Sequence, residues 1–75
     1  MSSANALEEV QRAIREQDYS GASAMVDNLL AQEETSAAVL ARIRIDRLTG
    51  DLDSASSRIT KAIEKWPNAK DDYLG

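Results

Sequence analysis

The sequence predicts an all-α fold of four helices, arranged as two antiparallel helix–turn–helix hairpins that stack as a short solenoid. Apolar residues recur at steps of three and four along four segments, which is the pattern of amphipathic helices. A Gly-Asp pair at residues 50–51 and a proline at residue 67 mark the turn and the end of the second hairpin. No segment alternates polar and apolar residues as a half-buried strand would. The length of 75 residues indicates a single domain over residues 1–75.

The first hairpin is expected over about residues 3–35. Its first helix should run from about residue 4 to residue 17, along an apolar stripe of Leu7, Val10 and Ile14. Asp18 then ends this helix and caps the second one, since aspartate is a favoured N-cap residue. The apolar face of the second helix consists of Ala22, Met25, Val26, Leu29 and Leu30. This helix should end near Gln32.

The second hairpin is expected over residues 36–68, followed by a short tail of residues 69–75. Ser36 is predicted to cap the third helix, and Gly50 to stop it at its C-terminus. The predicted buried side of that helix consists of Val39, Leu40, Ile43 and Leu48, with Ile45 off the stripe. Asp51 should cap the fourth helix and Pro67 should end it. The apolar face of the fourth helix consists of Leu52, Ala55, Ile59, Ala62, Ile63 and Trp66.

The two predicted hairpins are copies of one another at an offset of 33 residues. At this offset Asp18 matches Asp51, and similar residues match along both helices: the pairs are Val10 with Ile43, Ala22 with Ala55, Val26 with Ile59 and Leu29 with Ala62. A helix–turn–helix unit that repeats every thirty to forty residues is typical of helical solenoids.

The second copy resembles the tetratricopeptide repeat (TPR) family. The Gly50–Asp51 pair stands at the family's inter-helix turn, Ala55 and Ala62 at its two small positions, and Pro67 at its closing proline. The resemblance covers residues 36–68 well and residues 3–35 weakly, because the first copy lacks the turn glycine and the proline. Ile43 also replaces the family's small residue in the first helix. An unrelated four-helix bundle is the alternative that the same apolar stripes allow.

The composition disfavours several classes of function. The formal net charge of −4 disfavours a nucleic-acid binder, since DNA and RNA select for lysine and arginine. The charge is uneven: residues 1–36 carry a net −5 and residues 37–75 a net +1. Without cysteine or histidine, neither a disulfide nor a zinc site is expected. No signal peptide or membrane-spanning run is recognisable, so a soluble, cytoplasmic protein that does not bind membranes is expected.

No catalytic set is recognisable, and the chain is not expected to be an enzyme or to hold a cofactor or metal. Its paired carboxylates, at 33–34, 51 and 53, and 71–72, fall at predicted helix starts or in loops. General acid–base chemistry instead requires a carboxylate in a dry pocket. The serines at 54, 56 and 57 have no histidine to activate them. A glycine-rich phosphate loop is also missing from the sequence.

The TPR resemblance implies a binding groove lined by the first helix of each repeat. By alignment, the groove positions are Leu7, Gln11, Ile14 and Arg15 from the first copy, with Leu40, Arg44 and Arg47 from the second. Some TPR proteins clamp a C-terminal carboxylate with lysine and asparagine at positions that are Leu7 and Gln11 here. The corresponding residues of the second copy are Leu40 and Arg44. An acidic or amphipathic helical ligand therefore fits better than a terminal carboxylate. The alternative is a solvated arginine face with an Arg42–Asp46 pair.

The end of the second hairpin is the other candidate interface. In a solenoid a terminal helix covers the last repeat, and the residues after Pro67 are too few for a proper capping helix. Four apolar residues are therefore expected to stay partly exposed: Leu52, Ile59, Ile63 and Trp66. Such exposed apolar surface usually marks an interface. The alternative is that Tyr73 and Leu74 fold back and cover it.

Two functions remain open on the basis of the sequence. The first is a protein–protein interaction module, a small adaptor or an assembly or secretion-type chaperone, which binds a helical or acidic segment of a partner protein. The second is a structural subunit that self-associates, as a homodimer or in a larger complex, through the uncapped last helix. A folded monomer with Trp66 exposed favours the first function, and an obligate dimer with Trp66 buried favours the second.

Overall fold

The computed structural model describes residues 3–74, with side chains over residues 6–73. The predicted all-α fold is confirmed, and no strand occurs among these residues. The helices are α1 (Ser3–Arg15), α2 (Tyr19–Gln32), α3 (Ser36–Thr49), α4 (Leu52–Lys65) and the short α5 (Lys70–Leu74), with a 3₁₀ turn at Pro67–Ala69. The sequence pattern did not predict α5. None of the helices in this part of the chain is long and apolar enough to cross a membrane.

The helices form two stacked hairpins. α1 packs against α2, α3 packs against α4, and α2 joins the two hairpins by packing against α3. α1 also contacts α3, and α5 lies against α3 and α4. Because each short turn reverses the chain direction, α1 and α3 run the same way and lie side by side. This arrangement places the first helices of the two hairpins on a common surface.

The turn inside each hairpin has the same backbone geometry. Its central residue has a left-handed φ, 64° at Gln17 and 84° at Gly50. The aspartate that follows donates its amide to the carbonyl five residues earlier, at 2.8 Å in both turns. Its carboxylate accepts the amide three residues later, at 3.1 Å for Asp18 and 3.4 Å for Asp51. Both predicted aspartate caps are therefore confirmed, and the 33-residue offset is retained in the backbone.

Two predicted helix ends differ from the structure. The N-cap of α3 is Thr35 rather than Ser36: the Thr35 hydroxyl accepts the amide of Ala38 at 3.2 Å. Ser36 is instead the first residue of the helix. Helix α1 ends at Arg15, two residues earlier than predicted, because Gln17 takes the left-handed conformation that starts the turn.

The hydrophobic core consists of two clusters that meet at α3. The first lies between α1, α2 and α3 and consists of Val10, Ala13, Ala22, Val26, Ala41 and Ile45. The second lies between α3, α4 and α5 and consists of Ile43, Ala55, Ala62 and Tyr73. Helix α3 contributes to both clusters and is therefore buried on two sides, whereas α1 contributes to one.

Two apolar residues of α3 were predicted wrongly. Ile45, expected off the buried stripe, is only 2% exposed, and Leu48, expected in the core, is 52% exposed. The prediction assumed that α3 buries a single face. Because α3 is packed between two hairpin partners, its buried residues do not fall on one stripe. Leu48 belongs to neither cluster, which leaves an apolar side chain on the surface.

A buried carboxylate ties α3 to its neighbours. Asp46 is 2% exposed and accepts a hydrogen bond from Arg58 Nε of α4 at 2.9 Å. Arg42 Nε lies 3.6 Å from the other carboxylate oxygen, so the Arg42–Asp46 pair of the alternative interpretation is present, although Asp46 is buried rather than solvated. The Arg42 guanidinium also bonds the hydroxyl of Ser23 and lies 3.7 Å from Asp27 of α2. Three helices are thus joined by one polar network, which neutralises the carboxylate that burial would otherwise penalise.

The tail does cap the second hairpin, contrary to the expectation that it is too short. The 3₁₀ turn after Trp66 redirects the chain, and α5 places the Tyr73 ring in the second core cluster with 0% exposure. The Tyr73 hydroxyl lies 2.6 Å from the Ser36 Oγ, and Arg47 Nη2 donates to the Tyr73 carbonyl at 2.6 Å. The Tyr73 ring is thus part of the core of the second hairpin, so the fold-back alternative is the one observed for Tyr73.

Candidate protein-binding groove

An open groove of about 430 Å³ lies between the C-terminal halves of α1 and α3. Its lining consists of Gln11, Ile14, Arg15, Arg44, Arg47 and Leu48. The groove exists because α1 and α3 run side by side while their hairpin partners α2 and α4 lie on the other side of the layer. We call this surface the α1–α3 groove.

Five of the seven predicted groove residues line the α1–α3 groove: Gln11, Ile14, Arg15, Arg44 and Arg47. The remaining two lie elsewhere. Leu7 lines a separate depression of about 130 Å³ beside Leu29 and Thr35, and Leu40 packs against the second core cluster. Both leucines lie about one turn before the groove begins, where their side chains pack within the fold.

Leu48 is the groove residue that sequence reasoning missed, because it was assigned to the core. A signal for it was present in the repeat: at the 33-residue offset Leu48 corresponds to Arg15, which the alignment had placed in the groove. Leu48 was nevertheless assigned to the core, because it falls on the amphipathic stripe of α3. The correction matters for chemistry, since Leu48 supplies half of the apolar floor.

The groove combines an apolar floor with a cationic rim. Ile14 is half-buried and Leu48 is largely exposed, so both offer apolar surface to a ligand. Arg15, Arg44 and Arg47 surround this floor. The described carboxylates form no ion pair with any of these three arginines. In a chain of net charge −4, three guanidinium groups without a carboxylate partner form a local positive site.

The helix ends account for part of this charge. Arg15 and Arg47 lie in the last turns of α1 and α3, where the helix dipole favours a cation. A structural role for these two arginines is therefore reasonable. It does not explain Arg44, which lies a turn earlier, or the exposed Leu48. The apolar floor and Arg44 are the features that distinguish a binding groove from a pair of capped helix ends.

The opposite surface shows what a neutralised basic groove looks like. A groove of about 460 Å³ between α2 and α4 is also lined by three cations, Arg58, Lys61 and Lys65. Here Arg58 is bonded to Asp46, and Lys65 forms an ion pair with Glu34. Two of the three cations are thus already paired within the chain. In the α1–α3 groove, by contrast, none of the three arginines has a carboxylate partner among the described residues.

The predicted terminal interface is only partly open. Leu52, at the start of α4, is 64% exposed. Ile59, Ile63 and Trp66 are half-buried and pack against the second core cluster, beside Tyr73. The Nζ atom of Lys65 lies 5.0 Å from the centre of the Trp66 ring and further covers it. Most of the surface that was expected to be uncapped is therefore used within the chain.

Comparisons of the chain with protein-family models, curated proteins and solved structures give no match. Function is therefore inferred from the groove itself.

Proposed function

We propose that this protein is a protein–protein interaction module, a small adaptor or an assembly or secretion-type chaperone. Its ligand is an acidic, amphipathic helical segment of a partner protein, bound in the α1–α3 groove. One observation carries the proposal: an apolar floor of Ile14 and Leu48 lies open between arginines that have no carboxylate partner among the described residues.

The shape and charge of the groove favour this kind of ligand. Two parallel helices leave a furrow that receives the apolar face of a third helix, as in other helix-in-groove complexes. An apolar side chain of the ligand contacts Ile14 and Leu48, while its flanking carboxylates reach the rim. Arginine suits this role because its planar guanidinium can bond a carboxylate through two parallel hydrogen bonds.

The expected affinity is modest. Burying one leucine-sized side chain contributes about 1.5–3 kcal/mol, and each solvent-exposed ion pair about 0–1 kcal/mol. Against these terms stands the cost of association. A dissociation constant of about 1 μM requires about 8 kcal/mol of net binding free energy. A groove of this size therefore supports micromolar or weaker binding, which calls for titration at equilibrium rather than capture from a mixture.

The repeated architecture supports the wider proposal that the chain is a degenerate pair of TPR-like repeats. The two hairpins have the same turn geometry at Gln17 and Gly50 and the same aspartate caps, one repeat apart. The lining of the groove by the first helix of each hairpin is also what the resemblance implies. The chain departs from the TPR pattern at Ile43, which is fully buried where the family has a small residue.

Fluorescence anisotropy with synthetic peptides tests the proposal. The probe is an amphipathic helix of about four turns, long enough to hold some helix in water, with leucines at i and i+4 flanked by glutamates. A matched peptide carries lysine in place of each glutamate. We expect that only the acidic peptide binds and that the lysine peptide does not. Added salt should weaken this binding, because exposed charges are screened.

A matched pair of variants locates the site. Arg44→Gln should weaken binding of the acidic peptide about fivefold, the loss of one exposed ion pair. Arg12→Gln removes an exposed arginine of α1 that does not line the groove, and should leave the affinity unchanged. Equal binding of both peptides, or equal effects of the two substitutions, would refute the proposal.

Self-association through the last hairpin is the second candidate function, and the 64% exposure of Leu52 favours it. The rest of that surface is half-buried under α5, which leaves a small contact area for a second copy. Light scattering across a concentration range tests it. A dimer that dissociates on Leu52→Ser would support the structural role, and a monomer at every concentration would rule it out.

A further inference from the structure

We infer that α5 is a working part of the α1–α3 groove: its backbone holds the Arg47 guanidinium in place for a carboxylate of the ligand. This makes α5 a positioning element for binding as well as a cap on the core. The inference rests on the proposed function, since it assigns a role to the tail in the same site.

The contact that carries the inference joins the groove to the tail. Arg47 lines the α1–α3 groove, and its Nη2 atom donates to the carbonyl of Tyr73 at 2.6 Å. That carbonyl lies in the last turn of α5, where helical carbonyls have no partner within the helix. A cationic side chain is therefore a suitable hydrogen-bond donor to it.

The carbonyl is itself held firmly. The Tyr73 ring is fully buried in the second core cluster, and its hydroxyl lies 2.6 Å from Ser36 Oγ at the start of α3. Ring and hydroxyl fix the position of α5 on the same helix that carries Arg47. The acceptor and the arginine thus belong to one packed unit.

The contact leaves Arg47 free to bind. A guanidinium has five N–H donors in a planar fork, and the Tyr73 carbonyl takes one of them. Arg47 lines the groove, so its remaining donors are left for a ligand. Because an arginine side chain normally loses rotamer freedom when it binds, an arginine already held by a fixed acceptor loses less. Arg15 and Arg44 make no side-chain hydrogen bond within the described residues, so Arg47 is the pre-positioned member of the rim.

Linkage makes the effect reciprocal. If α5 raises the affinity of the groove, an occupied groove must stabilise the docking of α5 by the same factor. Binding of an acidic ligand should therefore slow hydrogen exchange in the tail, although no part of the ligand touches it. A ligand that instead took Arg47 away from the Tyr73 carbonyl would speed that exchange.

The first measurement needs no ligand. Amide hydrogen exchange over residues 70–74 is compared in the full chain, in Arg47→Gln and in Arg44→Gln. We expect exchange about tenfold faster in Arg47→Gln, the loss of one charged hydrogen bond, and an unchanged rate in Arg44→Gln. Equal rates in all three proteins would show that Arg47 does not hold the tail and would overturn the inference.

The second measurement uses the same acidic peptide. Tyr73→Phe removes the hydroxyl that anchors α5. Because the buried ring is kept, the fold should persist. We expect it to weaken peptide binding about threefold, within the range for one hydrogen bond, both in the wild-type chain and in Arg44→Gln. In Arg47→Gln it should have no further effect, because the side chain through which α5 acts is gone.

The remaining outcomes are decisive. An equal loss of peptide affinity in all three backgrounds would mean that Tyr73→Phe acts through the whole fold. Faster hydrogen exchange of the tail when peptide is added would mean that the peptide competes with Tyr73 for Arg47. Either result overturns the inference. If the wild-type chain binds no acidic peptide, the proposed function fails and the role of Arg47 in binding fails with it. The ligand-free exchange then still decides separately whether Arg47 holds α5.

Discussion

The two hairpins share their turns and caps but differ in what surrounds their first helices. α1 packs against α2 and one side of α3, whereas α3 packs against α1, α2, α4 and α5. At matching positions the first helix carries exposed Arg12 and the small core residue Ala13, and the second carries buried Ile45 and buried Asp46. The residues that form the turn and the cap are thus repeated in both hairpins. The size and burial of the side chains between them depend instead on how many helices pack against each first helix.

The largest expected effect concerns Ile45, whose buried position has no counterpart in the first hairpin. Ile45→Ala should lower the free energy of unfolding by about 2–5 kcal/mol, the usual cost of removing a buried isoleucine side chain. Domains of this length have total stabilities of about 4–11 kcal/mol, so much of the fold's stability would be lost. Urea denaturation followed by circular dichroism measures it.

The matched control for Ile45→Ala is Arg12→Ala, at the equivalent position of the first hairpin, which should change stability by less than about 0.5 kcal/mol. Similar losses for the two variants would mean that α1 and α3 are buried alike, and the comparison between the hairpins would fail.

The next effect concerns Asp46, which stands where the first hairpin has Ala13. Asp46→Ala should cost about 1–3 kcal/mol, because Arg42 and Arg58 lose a buried acceptor that holds α3 to α4. The cost stays below that of a fully buried ion pair, since the Arg58 side chain is 38% exposed and can turn to solvent. Thermal unfolding at neutral pH measures it.

The control for Asp46→Ala is Asp27→Ala, which removes the exposed partner of Arg42 and should cost under about 1 kcal/mol. A larger loss of stability from Asp27→Ala than from Asp46→Ala would mean that the exposed ion pair, and not the buried carboxylate, contributes most to the network.

A smaller effect sharpens the comparison of the turns. Gln17→Gly should stabilise the protein by up to about 1 kcal/mol, because a side chain in the left-handed region costs about 1–2 kcal/mol and glycine relieves it. Part of the gain is lost to the greater freedom of glycine in the unfolded chain. Gly50→Ala, where open space surrounds the added Cβ, should destabilise by about 1 kcal/mol through backbone strain alone. Opposite signs in chemical denaturation are expected, and equal signs would contradict the shared turn geometry.

The smallest stability effect is expected at Leu48. Leu48→Ala removes an exposed side chain and should change the free energy of unfolding by less than about 0.5 kcal/mol. The same variant should weaken binding of the acidic peptide, because it removes half of the groove floor. A large loss of stability with unchanged peptide binding would return Leu48 to the core and remove the apolar part of the proposed site.

These contrasts show which part of the fold could be predicted from the sequence. Caps and turns are decided within a few residues, which is why Asp18, Asp51 and Gly50 were assigned correctly, although the cap of α3 is Thr35 rather than the predicted Ser36. The failures at Ile45 and Leu48 arise where a helix is buried on two sides, which its own periodicity does not reveal. The left-handed Gln17 was missed because glutamine gives no signal for that conformation, although the repeat placed it opposite Gly50.

The groove was predictable to the extent that the repeat is regular. The TPR resemblance, carried over by alignment onto the two copies, implied groove positions of which five line the observed groove, namely Gln11, Ile14, Arg15, Arg44 and Arg47. Alignment could not show where the groove ends, so Leu7 and Leu40 were included. Alignment also could not predict the contact between Arg47 and Tyr73, since that contact depends on how α5 folds back after Pro67.

The Asp27–Arg42 contact between α2 and α3 also distinguishes the two hairpins as partners for α2. If a first hairpin of another copy docked on α2 in place of the second hairpin, Glu9 would stand at the position of Arg42, one repeat earlier in the sequence. A carboxylate would then face Asp27, and like charges repel at such distances. The contact therefore favours the second hairpin over a copy of the first on α2, by at most about 1 kcal/mol, the usual value of an exposed ion pair.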